Sequence, residues 1–90
     1  MMNKRRTRLE IMLNVLTAVS DGVNKPTRIM YAANMSWNPT KKILEKLVGE
    51  GFLGVTEEPL GRRSKKRYEI TEKGIKVLKY FYGAQELISL

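Results

Sequence analysis

Residues 27–52 read TRIMYAANMSWNPTKKILEKLVGEGF, and the rest of the chain is organised around them. A first short helix is expected over about Thr27 to Ala33, with Pro26 at its first turn, where a missing N–H has no partner to lose. Asn34 and Met35 then make a turn. Ser36 offers a hydroxyl to an orphan backbone N–H as an N-cap, and Asn38–Pro39 is a rival start two residues later. Thr40, Ile43, Leu44, Leu47 and Val48 recur at spacings of three and four, which predicts a second helix over 36–48 with one apolar stripe. Its other face carries Asn38, Lys41, Lys42, Glu45 and Lys46. Gly49 and Gly51 stop it.

Outside this block the composition narrows the function. Ninety residues make one domain, and a chain of this size buries only about 60–65% of its unfolded surface, which leaves little room for an enclosed ligand cavity. A net charge of +8 favours a polyanion, with nucleic acid ahead of a membrane surface. The chain has no cysteine and no histidine. That removes disulfides, zinc fingers, thiol chemistry and imidazole sites together. No nucleophile–base pair, metal-ligand cluster or glycine-rich phosphate loop is visible, so neither an enzyme nor a cofactor or metal site is expected, and no small-molecule ligand. No apolar run approaches the roughly 20 residues of a membrane span. The basic start has no apolar core after it, so a cytoplasmic protein is expected rather than a secreted one.

In chain order, residues 1–6, MMNKRR, form a short basic arm with Lys4, Arg5 and Arg6. The arm is either a solvated tail or a segment lying along phosphates. Thr7 and Glu10 have capping-box spacing ahead of a stripe of Leu9, Met12, Leu13, Leu16 and Val19, which Asp21 and Gly22 end. Val23 to Lys25 reads as a brief extended connection. FLGVT, 52–56, favours a strand that Glu57, Glu58 and Pro59 close, with a turn over Pro59 to Gly61. RRSKKR, 62–67, puts five positive charges in six positions as a basic tip. Tyr68 and Ile70 then alternate with Arg67, Glu69 and Thr71 as a half-buried strand. Thr71 caps a last helix over 71–90. There Ile75, Leu78 and Tyr82 form one stripe, and Val77, Phe81, Ala84 and Ile88 a second that asks for a partner. Gly83 either ends this helix or sits inside it. Trp37 has two readings, a core anchor against the first helices or an exposed aromatic beside a nucleic-acid backbone.

Several phrases carry a family resemblance. TRIMYAANMS with Trp37, the Thr40/Ile43/Leu44/Leu47 pattern and GEGFL resemble a block common in archaeal winged-helix proteins, and YEITEKGIKVL is similar to their closing motif. The chain resembles small basic archaeal winged helix-turn-helix DNA-binding proteins of the ten-kilodalton chromatin-associated type, and related archaeal and viral regulators, over about residues 7–82. The resemblance implies an α+β, mainly α fold: a three-helix core, a β-hairpin wing and a C-terminal helix. It implies binding to double-stranded DNA, commonly as a homodimer through that last helix. The chromatin type pairs a long C-terminal helix as a coiled coil. Here a short last helix interrupted by Gly83 and a longer, more basic hairpin favour a regulator, nucleoid-associated in the cytoplasm. Ser36, Asn38, Lys41 and Lys42 are then expected at the major groove, with Thr40 facing inward. Thr27 and Arg28 are expected at phosphates, and Arg62, Arg63, Lys65, Lys66 and Arg67, in a wing over 59–67, at the backbone or minor groove. Lys4, Arg5 and Arg6 would follow as an arm, and Val77, Phe81, Ala84 and Ile88 as the dimer contact. Nonspecific packaging of DNA and a protein–protein adaptor are the rival functions, and RNA binding stays open because a basic hairpin can follow A-form phosphates.

Overall fold

The computed structural model describes the backbone of residues 7–88, and the side chains over that range except at Arg63 and 84–88. Lys4, Arg5 and Arg6 lie outside the described residues, as do the side chains of Ala84 and Ile88. The order is α1 (Arg8–Ser20), α2 (Pro26–Ala32), α3 (Trp37–Gly49), β1 (Leu53–Leu60), β2 (Arg63–Ile70) and α4 (Glu72–Ile88).

The local signals at the start of α1 hold. The Glu10 backbone N–H donates to Thr7 Oγ1 at 3.1 Å, and the Thr7 N–H donates to Glu10 Oε1 at 2.9 Å, closing the capping box. The three helices of the core then end in the same way. In each, one residue with positive φ follows the cap: Gly22 (φ 100°), Asn34 (φ 55°) and Gly51 (φ 84°). Behind it, the next N–H reaches back to a carbonyl five residues earlier: Val23 to Ala18 at 3.0 Å, Met35 to Met30 at 3.1 Å and Phe52 to Leu47 at 2.9 Å. This is the Schellman arrangement, which satisfies carbonyls a helix end leaves open. Val23, Met35 and Phe52, the residues it turns inward, all pack on the core. Asparagine tolerates the left-handed region better than other side chains, so ANMS makes the tight turn of the two-helix unit without glycine.

The core joins Val15, Leu16 and Val19 of α1, Ile29 and Ala33 at α2, Leu44 and Leu47 of α3, Leu53 and Tyr68 of the hairpin, and Leu78 of α4. In α1 the expected stripe holds at Met12, Leu13, Leu16 and Val19 and is widened. Leu9 is exposed, while Val15 and Ala18 are buried. The cause is that α1 touches α2, α3, α4 and β2, so it buries a wider arc than one stripe supplies.

Two further expectations change. The hairpin is longer than its apolar run. β1 continues through Glu57, Glu58 and Pro59, and the basic tract forms β2, paired Glu57 to Lys66, Glu58 to Lys65 and Pro59 to Ser64. The turn is reduced to Gly61 and Arg62. Proline is tolerated because a two-stranded ribbon has two edges. Gly83, in turn, does not interrupt α4, which runs 17 residues, roughly 25 Å.

One junction fastens the last helix to the end of α3. The Thr71 hydroxyl shares its hydrogen between the carbonyls of Gly51 (2.7 Å) and Phe52 (3.0 Å) and accepts the Gly74 N–H at 3.1 Å. Lys73 Nζ donates to the Glu50 carbonyl at 2.8 Å and lies 4.7 Å above the Phe52 ring. GEGF and TEKG, one from each of the two resembling phrases, are therefore in contact.

Candidate nucleic-acid interface

The outer face of α3 carries Ser36, Trp37, Asn38, Lys41, Lys42, Glu45 and Lys46, all exposed. Thr40, in phase with the inner face, is fully buried, and its hydroxyl donates to the Ser36 carbonyl at 2.7 Å. Ser36 occupies the N-cap position as its type predicts, but its hydroxyl makes no cap bond. Asn38 and Lys41 thus stand exposed on the first two turns of the helix, while Lys46 is taken up by Glu50 at 3.0 Å.

Three segments converge beside this helix. Lys25, Pro26 and Thr27 from the start of α2, Trp37 and Lys41 from α3, and Ser64, Lys65 and Lys66 from β2 line a cleft of about 440 Å³. Four lysines and no carboxylate stand on its walls. Charges of one sign gathered in a concavity raise the local potential for anions beyond what the same charges do on a flat face. Trp37 is 42% exposed and belongs to this cleft rather than to the core. The core-anchor reading is corrected, and the physical reason is position. Trp37 shares the phase of Thr40 and Leu44, but it precedes them by a turn and projects past the end of the core.

The expected contact residues separate into groups. Thr27, Lys41, Lys65 and Lys66 come together in the cleft. Arg28 is exposed beside Thr27, Val23 and Tyr31 on the flank of α2. Lys42, about 100° round α3 from Lys41, edges a different, apolar groove with Arg8, Met12, Met35, Ile43 and Lys46. Arg62 stands exposed in the turn. Arg67 is engaged at the hairpin base, its Nη1 donating to Asn24 Oδ1 at 3.2 Å while the Tyr68 N–H donates to the Asn24 carbonyl at 2.9 Å. These bonds fix the wing to the α1–α2 connection. Lys66 and Lys65 sit across the ladder from Glu57 and Glu58 without closing an ion pair among the described residues. The acids nevertheless lower the potential on the wing, since cross-strand neighbours lie within about 5.5 Å at Cβ. Lys25 and Ser64 are cleft residues that sequence reasoning missed. The signal for Lys25 was its place just before Pro26, where a helix start faces the returning hairpin.

Tyr68 lies at the root of the wing, 8% exposed. Burial, then the charges of Glu45 and Glu57, push its phenol above the ordinary tyrosine value. Among the described residues no group of three or more acidic side chains is placed to hold a metal ion, and no helix is long and apolar enough to cross a membrane.

Along α4, Leu78 is buried and Val77 packs on the core. Tyr82 Oη lies 2.9 Å from Thr17 Oγ1 on α1. Tyr80 is 72% exposed and meets the half-buried Phe81 edge-on, centroids 5.3 Å apart at 87°.

Comparison with known proteins agrees with this architecture. Sso10a-2, a DNA-binding protein from Sulfolobus solfataricus, is 31% identical, with a TM-score of 0.63 over 93% of this chain and 94% of that one. The Streptococcus mutans protein smu.1704 is 25% identical, with a TM-score of 0.76 over 98% of this chain and 87% of that one. An uncharacterized protein of Methanocaldococcus jannaschii is 29% identical over 85 residues, 94% of this chain and 79% of the relative. A family model for winged helix-turn-helix proteins matches residues 5–89, and the chain belongs to that family.

Proposed function

We propose that the protein binds double-stranded DNA as a homodimeric transcriptional regulator, nucleoid-associated in the cytoplasm. The observation that carries this reading is the lysine-walled cleft set against the open first turns of α3. The likeness to a DNA-binding protein of Sulfolobus solfataricus supports it. In this reading α3 enters the major groove N-terminus first. Asn38 pairs with an adenine edge, and Lys41 or Lys42 donates to guanine. Ser36, Thr27, Arg28, Lys65 and Lys66 take phosphates, and Arg62 and Arg63 reach the next backbone or the minor groove. Arg67 acts through Asn24 by holding the wing in place. The basic arm of Lys4, Arg5 and Arg6 adds further phosphate contacts.

The second copy docks on α4. Val77 is largely used inside the monomer, so the dimer contact centres on Phe81 and the exposed Tyr80, continuing to Ala84 and Ile88. A two-fold pair sets its recognition helices about 34–36 Å apart and reads an inverted repeat.

The deciding experiment is a salt titration of binding to a labelled random duplex, followed by selection of sites from a random pool. Affinity falling steeply with salt, about 0.9 ion per phosphate neutralised, together with a recovered motif, supports a regulator. Steep salt dependence without a motif means packaging. No binding at low salt sinks the DNA reading and leaves the adaptor role.

A further inference from the structure

The cleft beside α3 holds a feature that duplex reading does not use, a partly exposed tryptophan on a wall it shares with four lysines. Bases in a duplex show their edges in the grooves and hide their faces in the stack, so an indole lies flat on a base only when that base leaves the stack. An unpaired strand presents base faces directly. The sites that hold such strands combine a basic groove for the backbone with an aromatic platform for the bases.

Both parts are present. Trp37 is 42% exposed on the cleft wall, and Lys25, Lys41, Lys65 and Lys66 surround it with no carboxylate on the lining. The cleft, about 440 Å³, is open to solvent rather than enclosed, so a strand can lie along its lysines with one base turned towards Trp37. Asn38 and Lys42 lie outside the cleft, so edge reading by α3 and face stacking by Trp37 draw on mostly different groups.

We propose that this cleft is a single-stranded DNA site, in which Trp37 stacks on one unpaired base and the four lysines hold the phosphates on either side. The proposal rests on the nucleic-acid reading of this face and deepens it. It gives the protein a preference for DNA with an open or frayed segment.

Trp37 is the only tryptophan of the chain, so its emission reports the cleft alone. The full chain is titrated with a twelve-nucleotide oligothymidylate and with an abasic strand of equal length and charge. Binding is read both by Trp37 fluorescence and by anisotropy of end-labelled strands. Oligothymidylate is expected to quench Trp37 saturably, and the abasic strand to bind about tenfold more weakly with little quenching. Trp37→Ala is expected to bind the two strands alike, and Trp37→Phe to recover part of the discrimination. Circular dichroism melting confirms that both variants fold. Equal affinity of the natural protein for the two strands, or unchanged Trp37 emission at saturation, overturns the proposal. A random duplex measured alongside keeps the two readings apart. Duplex binding without base-dependent single-strand binding defeats this proposal alone. Base-dependent single-strand binding without duplex binding defeats the duplex reading and upholds this one.

Discussion

Gly74 lies so close to the carbonyl oxygen of Phe52 that a Cβ at residue 74 would overlap it, and would also meet Ile70 Cγ1 at 2.8 Å. The contact follows from the Thr71 junction, which draws the first turn of α4 onto the end of α3. Gly74→Ala is therefore expected to lower stability by about 1–3 kcal/mol, as overpacking against backbone does. Gly83→Ala, in the same helix but facing open space, is expected to raise it by roughly 0.5–1 kcal/mol. Urea unfolding of the two variants checks both signs. Equal effects would mean the junction is loose.

Asn34 holds φ at 55° in the turn between α2 and α3. Asn34→Ala is expected to cost about 1–2 kcal/mol through the left-handed backbone, and Asn34→Gly to recover most of that loss. Thermal melts of the pair read the difference. If alanine and glycine behave alike, the turn is not held by its backbone conformation.

The raised pKa of Tyr68 carries a pH signature. The folded phenol keeps its proton above the unfolded value, so its contribution to stability is complete below about pH 10 and is lost as pH rises through the higher folded pKa. Tyr68→Phe should flatten this alkaline loss relative to the parent protein, with lysine titration common to both. Denaturation midpoints between pH 8 and 11 give the comparison.

Glu57 and Glu58 face Lys66 and Lys65 across the ladder. Glu57→Gln with Glu58→Gln is expected to tighten duplex binding about two- to fivefold at low salt and to steepen its salt dependence, because the wing lysines lose their acidic neighbours. Replacing Arg62, Arg63, Lys65 and Lys66 with alanine should do the reverse for every sequence. Unchanged affinity in the fourfold variant would remove the wing from the interface.

The dimer is tested at Phe81. Phe81→Asp is expected to give a monomer mass in light scattering where the parent gives twice that mass, and to weaken binding to an inverted repeat more than to a half-site. A parent mass that stays monomeric at all concentrations would rule out the two-fold geometry.

The parts of this fold that were legible in the sequence are those with local causes. Thr7 and Glu10 announce a helix start by their own side chains, and the Thr40–Leu44–Leu47 spacing is visible without knowing what covers it. The outer half of the hairpin was not legible. Beyond Val55 and Tyr68 no residue described in either strand is buried, and the half-covered positions of β2 are Lys65 and Arg67, so no apolar alternation marks the strand and only a charge run is visible. The sequence leaves Trp37 open between core and surface for a related reason. Its phase matches the buried stripe, and where the core ends depends on how far α1 and α2 extend beneath it. In the candidate site the lysines were visible as charges. Which of them share a cleft was decided by the returning β2, and so Lys41 and Lys42, adjacent in sequence, face different grooves.

The Thr71 junction has a mechanical meaning. Three hydrogen bonds and one cation–aromatic contact tie Thr71 and Lys73, at the start of α4, to Glu50, Gly51 and Phe52, just past α3. The junction fastens the two helix ends without packing their lengths against one another. The end of α3 and the start of α4 are thus set by each other, although the whole hairpin separates them in sequence.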